Sequence, residues 1–165
     1  MSELVNLEKK AITLHKCHNY NAGKYKTIEN SLANSVLIFG LVLTSVIPLI
    51  DVELKYKETI NTLIGLCITL LTAFSKSYKP GEKFEKHRYS SQEYISLKYK
   101  IRQQIIKSHP DDQRNIQEIE KVTMDFESLR KECPFISDTL YDKKYVDTIE
   151  LLSLNTETQI PIDEI

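Results

Sequence analysis

The chain has 165 residues, with 22 Lys and Arg against 23 Asp and Glu and 41% hydrophobic residues, and its mean hydropathy is −0.31. Four Gly, five Pro and no Trp exclude collagen-like and low-complexity chains, and a net charge of −1 excludes a nucleic-acid binder that works through bulk charge. Three cysteines (Cys17, Cys67 and Cys133) with no C-x-x-C spacing exclude a disulfide scaffold or a zinc module.

Residues 1–29 carry Leu4, Leu7, Ala11, Leu14, His18, Ala22 and Tyr25 three or four positions apart. That spacing predicts a cytoplasmic helix lying against other helices or along a membrane surface. Within it, His15-Lys16-Cys17-His18 has the residue types of a metal site. No further ligand pair follows at usable spacing, so these are read as packing or surface histidines.

Residues 30–50 contain no charge, and 11 of the 15 residues from Val36 to Ile50 are Val, Leu, Ile or Phe. As a helix this run spans roughly 31 Å, the thickness of a bilayer's hydrocarbon core. The buried helix of a soluble bundle would keep a polar stripe, and this run has none over its middle. A signal peptide is excluded by the long mixed-charge lead before it. Residues 51–58 then form a short external loop. A second uncharged run, 17 residues from Thr59 to Ser75, begins the second span, placed over 59–78 and flanked by Lys57, Lys76, Tyr56 and Tyr78 at interfacial positions. Four basic residues lie in the 20 before the first run and five in the 20 after the second, against two in the connector. Both termini are therefore expected in the cytoplasm of an integral membrane protein with two spans.

Residues 79–134 predict a cytoplasmic hairpin of helices. Lys79-Pro80-Gly81 breaks or kinks the chain, and a helix follows to Lys107 with Tyr94, Leu97, Ile101 and Ile105 on one side. His109-Pro110-Asp111-Asp112 is read as a turn and helix cap rather than an acid–base pair. The next helix carries Ile116, Ile119, Val122, Phe126 and Leu129 and stops at Cys133-Pro134. The two are expected to pack seam to seam as an antiparallel, coiled-coil-like pair, with Tyr94, Leu97, Ile101, Ile105, Ile116, Ile119 and Phe126 as the candidate assembly seam. Residues 135–165 are expected to hold one short helix, over 143–154, and a disordered acidic tail. The fold class is all-α.

Candidate functional residues lie mostly at the membrane. Thr62, Gly65, Thr69 and Thr72 are spaced to share one face of the second span, and Asn34 and Thr44 are comparable positions in the first. Small and hydroxylated residues suit helix–helix contact in lipid, and in an oligomer they could line a water-filled path. The basic cluster Lys76, Lys79, Lys83, Lys86 and Arg88 fits contact with anionic headgroups, or plain topology determination. No nucleophile elbow, zinc-protease, Walker A or dinucleotide-binding motif is present. No enzyme activity, cofactor, metal or nucleic-acid partner is expected.

The order of parts resembles the SLATT domain, a two-transmembrane helical module. The similarity runs over roughly Glu8–Tyr145. It rests on His18, Ala22 and Tyr25 before the first span, on EKHRYSSQEYISLKYKI after the second, and on the Cys133-Pro134-Phe135-Ile136 break. The resemblance implies a homo-oligomeric membrane effector that forms a pore or perturbs the membrane, associated with nucleotide-sensing or nucleotide-synthesising modules in conflict systems. It brings no catalytic residues. Little chain lies outside the similarity, so a sensor is expected on a separate protein. An adaptor whose cytoplasmic helices recruit a partner, without conduction, is the alternative.

Overall fold

The computed structural model describes residues 2–49, 54–107 and 113–157. They are helical almost throughout, and no strand occurs among them. Five helices follow in order: α1 (Ser2–Leu41), α2 (Leu54–Tyr78), α3 (Pro80–Lys107), α4 (Gln113–Glu132) and α5 (Asp138–Glu157). A π-helical turn at Val42–Val46 and a 3₁₀ turn at Ile47–Leu49 extend α1.

Several boundaries move from where the residues alone place them. The expected division at 29/30 lies inside α1, which continues without interruption because neither Gly23 nor the change to an apolar composition breaks the backbone ladder. The regular α-helix instead ends at Leu41, ahead of Pro48. That residue has no N–H to donate back, and its ring crowds the carbonyl of the preceding turn; the π turn and the 3₁₀ turn occupy this stretch. The connector is shorter than the expected 51–58, since α2 has already begun at Leu54. The last helix runs from Asp138 to Glu157 rather than over 143–154. The turn His109-Pro110-Asp111-Asp112, residues 51–53 of the external loop and residues 158–165 of the tail lie outside the described residues.

Two helix junctions are legible in backbone terms. Lys79 has φ 49, the left-handed conformation of a helix-terminating residue, and its N–H donates to the Ser75 carbonyl at 3.0 Å. Pro80 then opens α3 at the one helical position where its missing N–H costs nothing, with Glu82 in the first turn against the helix dipole. At the other junction Pro134 forbids helix at Cys133. The chain restarts where the Ser137 carbonyl accepts N–H bonds from Leu140 and Tyr141 at 3.1 and 3.0 Å.

The chain forms two compact units: one from residues up to Ala22 together with those from Glu85 on, the other from Gly23–Phe84. In the first, Leu4, Ala11 and Leu14 of α1, Tyr94, Leu97 and Ile101 of α3, and Val122 and Phe126 of α4 form one buried cluster. Each large side chain fully removed from water contributes about 1.5–3 kcal/mol. The first half of α1 is thus a core element of this unit. Arg102 donates to the buried Glu8 carboxylate at 3.4 Å, and Thr148 to the Lys144 carbonyl at 2.7 Å. Among the described residues no buried side-chain nitrogen or oxygen lacks a partner.

The second unit holds the apolar part of α1 and all of α2. Both carry an 18-residue window apolar enough to cross a membrane; 6% of the first and none of the second is buried. A core helix of a soluble bundle would have most of that window covered. Here Leu37, Ile38 and Leu41 are 55–62% exposed, and Leu63, Leu66, Leu70 and Phe74 are 51–61% exposed.

Candidate functional site

On α2 the half-covered positions are Lys57, Ile64, Gly65, Ile68, Leu71, Ser75 and Tyr78, a helical spacing that marks the face turned to the rest of its unit. Gly65 lies on that face, whereas Thr62, Thr69 and Thr72 are exposed. Each threonine hydroxyl donates to the carbonyl four residues back: Thr62 to Glu58, Thr69 to Gly65 and Thr72 to Ile68, all at 2.8–2.9 Å. Thr44 donates in the same way to Gly40 at 2.9 Å, and Asn34 is exposed. Backbonding of this kind satisfies the hydroxyl hydrogen inside its own helix, so these side chains can face hydrocarbon without an unpaired donor.

At the base of this unit aromatic and basic side chains interleave. Tyr25 and Tyr78 have ring centroids 6.1 Å apart, and Phe74 stacks on Tyr78 at 5.3 Å. The Lys83 ammonium sits 3.7 Å from the Tyr78 centroid and 5.6 Å from that of Tyr25, while Lys26 lies over Phe84 at 5.1 Å. Of the five basic residues assigned to headgroup contact, Lys83 is therefore held by aromatic faces. Lys79 pairs with Glu82 at 3.2 Å and Arg88 with Glu85 at 2.9 Å. Both pairs are exposed and weak enough to open toward a phosphate. Lys76 and Lys86 are exposed.

The seam residues turn inward. Tyr94, Leu97, Ile101 and Phe126 are buried, and Ile105 and Ile119 pack against them. They meet within one chain instead of offering an apolar strip to another. Ile116 departs from the set, being 59% exposed.

The residues alone did not disclose a polar cluster at the centre of the first unit. His18 and His87 face each other with their Nδ1 atoms 2.9 Å apart, so one ring donates and the other, necessarily neutral, accepts. His18 also stacks on Tyr94 at 5.5 Å, and Tyr94 meets Phe126 edge-on at 6.1 Å. Burial pushes the His18 imidazole down to about 4, helped by the positive charge His87 and His15 would carry, and burial lowers His87 as well. The signal was there: His87 stands seven residues before Tyr94, which stands seven before Ile101, and His18 continues the Leu4–Ala11 spacing. His15 goes elsewhere, to the Ser91 hydroxyl and carbonyl, both 2.9 Å from its Nδ1. The Cys17 thiol is wholly buried, donates to the Leu140 carbonyl at 3.8 Å and is pushed up to about 11 by burial. Among the described residues, no three His, Cys, Asp or Glu side chains are placed to hold a metal ion.

The geometry defines an all-α protein with two helices long and apolar enough to cross a membrane. No protein-family model matches the chain, and no curated protein or solved structure matches it.

Proposed function

We propose that the chain is an integral membrane protein whose α1 and the following turns, with α2, form a two-span hairpin, both flanks lying in the cytoplasm. On this reading it acts as a SLATT-like effector: copies assemble in the bilayer and form a pore or perturb the membrane on a signal from another protein. The observation that carries the membrane reading is that almost none of either apolar window is buried. It needs a solvent as apolar as the side chains. The first unit supports the hairpin independently. Its core joins Leu4 and Ala11 to Tyr94 and Phe126, which supports an even number of spans between them. The excess of Lys near both flanks supports the cytoplasm as their shared side.

Extraction tests the anchor: the protein stays with membranes in alkaline carbonate and leaves them in detergent, and release by carbonate refutes the hairpin. Dye release from liposomes tests the effector. Purified, assembled protein is expected to leak dye, with Thr69→Leu and Thr72→Leu changing the rate. Absence of leakage at every protein-to-lipid ratio refutes pore formation. The internal satisfaction of the threonine hydroxyls favours a second reading, in which the hairpin only anchors and the cytoplasmic helices recruit a partner. In that case neither leucine substitution alters function.

A further inference from the structure

A cleft of about 420 Å³ opens into the first unit between α1, α4 and the start of α5. Its floor is His18, Tyr94 and Phe126, each at most 3% exposed. Cys133, Pro134 and Tyr141 form one wall, and Lys10, Arg130 and Asp138 the rim. That volume lies low in the range of small-molecule sites, about 300–1,000 Å³, and is too small for a helix or a folded partner.

From this arrangement we propose that the cleft is a binding site for a small anion with a flat aromatic body, an aryl carboxylate or aryl phosphate. The proposal is independent of pore formation and of the membrane hairpin.

Three observations fix the ligand class. The rim carries two cations against one carboxylate, so it presents a net positive charge. Neither Lys10 nor Arg130 is in an ion pair among the described residues. The Arg130 charge reaches inward, for it favours the ionised forms of both Tyr94 and Tyr141 against the opposing effect of burial. Its planar fork suits a carboxylate or phosphate held by two hydrogen bonds.

The body of the ligand is specified by the walls. Phe135, 83% exposed, and the half-buried Tyr141 offer aromatic surface along the cleft, over a floor closed by Phe126 and Tyr94, so that a ring can lie edge-on or offset. An aliphatic anion would leave most of that surface uncovered.

The floor adds a polar handle. His18 has its Nδ1 committed to His87, and no buried nitrogen among the described residues is without a partner. His18 lines the cleft floor, and Nε2 is the ring nitrogen that His87 does not engage. When the His87 Nδ1 donates, the His18 proton sits on Nε2, and a neutral imidazole N–H is offered at the floor. When the His18 Nδ1 donates instead, its Nε2 accepts, so the histidine pair can offer the ligand either a neutral donor or a neutral acceptor.

Cys133 lines the cleft and is half-buried, so it reports occupancy without any engineered label. The full-length protein in nanodiscs is alkylated with N-ethylmaleimide, and the rate at Cys133 is read by peptide mass spectrometry, with an added water-soluble cysteine peptide as reference. Phenyl phosphate and benzoate are the probes, and benzyl alcohol and benzylamine the neutral and cationic controls. An anionic probe at twice its dissociation constant is expected to slow Cys133 about threefold. The controls leave the rate unchanged, and Arg130→Gln with Lys10→Gln removes the protection. Both substitutions fall on exposed side chains, and unchanged helical circular dichroism shows that the fold persists. Protection by only one of the two anions supports the site and decides between carboxylate and phosphate. Failure of both anions to protect overturns the proposal. So does equal protection by benzyl alcohol, or undiminished protection in the double variant.

Discussion

Ile101 and Ile116 look equivalent along the α3 and α4 seams, yet truncating them to Ala should have very different consequences. Ile101 is completely buried against the cluster of Leu4, Tyr94 and Phe126, whereas Ile116 is 59% exposed. Ile101→Ala removes three carbons from a dry site, a transfer loss of about 2.4 kcal/mol at roughly 0.8 kcal/mol per methylene. The unfilled space adds a cavity contribution, bringing the cost to about 3 kcal/mol, inside the usual range for buried Ile→Ala. Ile116→Ala removes carbons that already touch water and should cost under about 0.5 kcal/mol. Hydrogen exchange of the detergent-solubilised protein, followed by mass spectrometry on the peptides of α3 and α4, reads the difference locally. At about 1.4 kcal/mol per tenfold, Ile101→Ala should speed exchange in the most protected amides roughly 100-fold. Ile116→Ala should leave the pattern almost unchanged. Equal effects at the two sites, or a near-silent Ile101→Ala, would refute the assignment of this seam to an internal core.

Thiol chemistry separates the three cysteines. In intact membranes Cys67, uncovered by protein but central in the uncharged run of α2, should resist a charged, impermeant maleimide and become reactive once the protein is denatured; rapid labelling in intact membranes contradicts spanning. Cys17, held at about 11 and fully buried, should react only when the first unit opens, and labelling at the rate of a free thiol would contradict its burial. At Lys79, whose φ is 49, glycine should be more stable than alanine by about 1 kcal/mol in thermal melts, the reverse of the order inside a helix. Alanine equalling glycine there would remove the left-handed junction. Acid should weaken the first unit. Between pH 6.5 and about 4 the unfolded chain protonates at His18 while the folded chain does not, so stability falls as pH drops through that window and levels off for this group below it. His18→Asn should flatten that part of the profile, and an unchanged pH slope in the variant would count against the buried pair.

Much of this architecture can be read from the order of residues, for specific reasons. Charge is costly in an apolar helix, so an uncharged run such as Asn30–Ile50 marks a helix long and apolar enough to cross a membrane without any knowledge of neighbours. Proline is similarly plain at Cys133-Pro134, where it ends α4. Continuity through residues 29 and 30 is less visible, because an amphipathic segment and an apolar one can share a single helix when no breaker lies between them. The difference between Ile101 and Ile116 depends on which seam position meets the first half of α1, and a period of three or four cannot specify that. The Lys-Pro-Gly triplet advertises a break, but only the backbone assigns the left-handed residue to Lys79. The pairing of His18 with His87 spans 69 positions, and periodicity along one helix carries no information across that distance.

The first unit is assembled from chain on either side of α2, and this imposes a timetable on synthesis. Leu4, Ala11 and Leu14 leave the ribosome long before Tyr94 and Phe126, the partners that cover them. At about 5–20 residues per second, that apolar face waits roughly ten seconds for its complement. During the wait it is a hydrophobic surface beside a nascent span, open to chaperones or to the bilayer itself. On the proposed membrane reading, insertion of the intervening segment and completion of the unit are successive events, and a stall between them leaves a specific, recognisable fragment: an N-terminal helix with its apolar face bare.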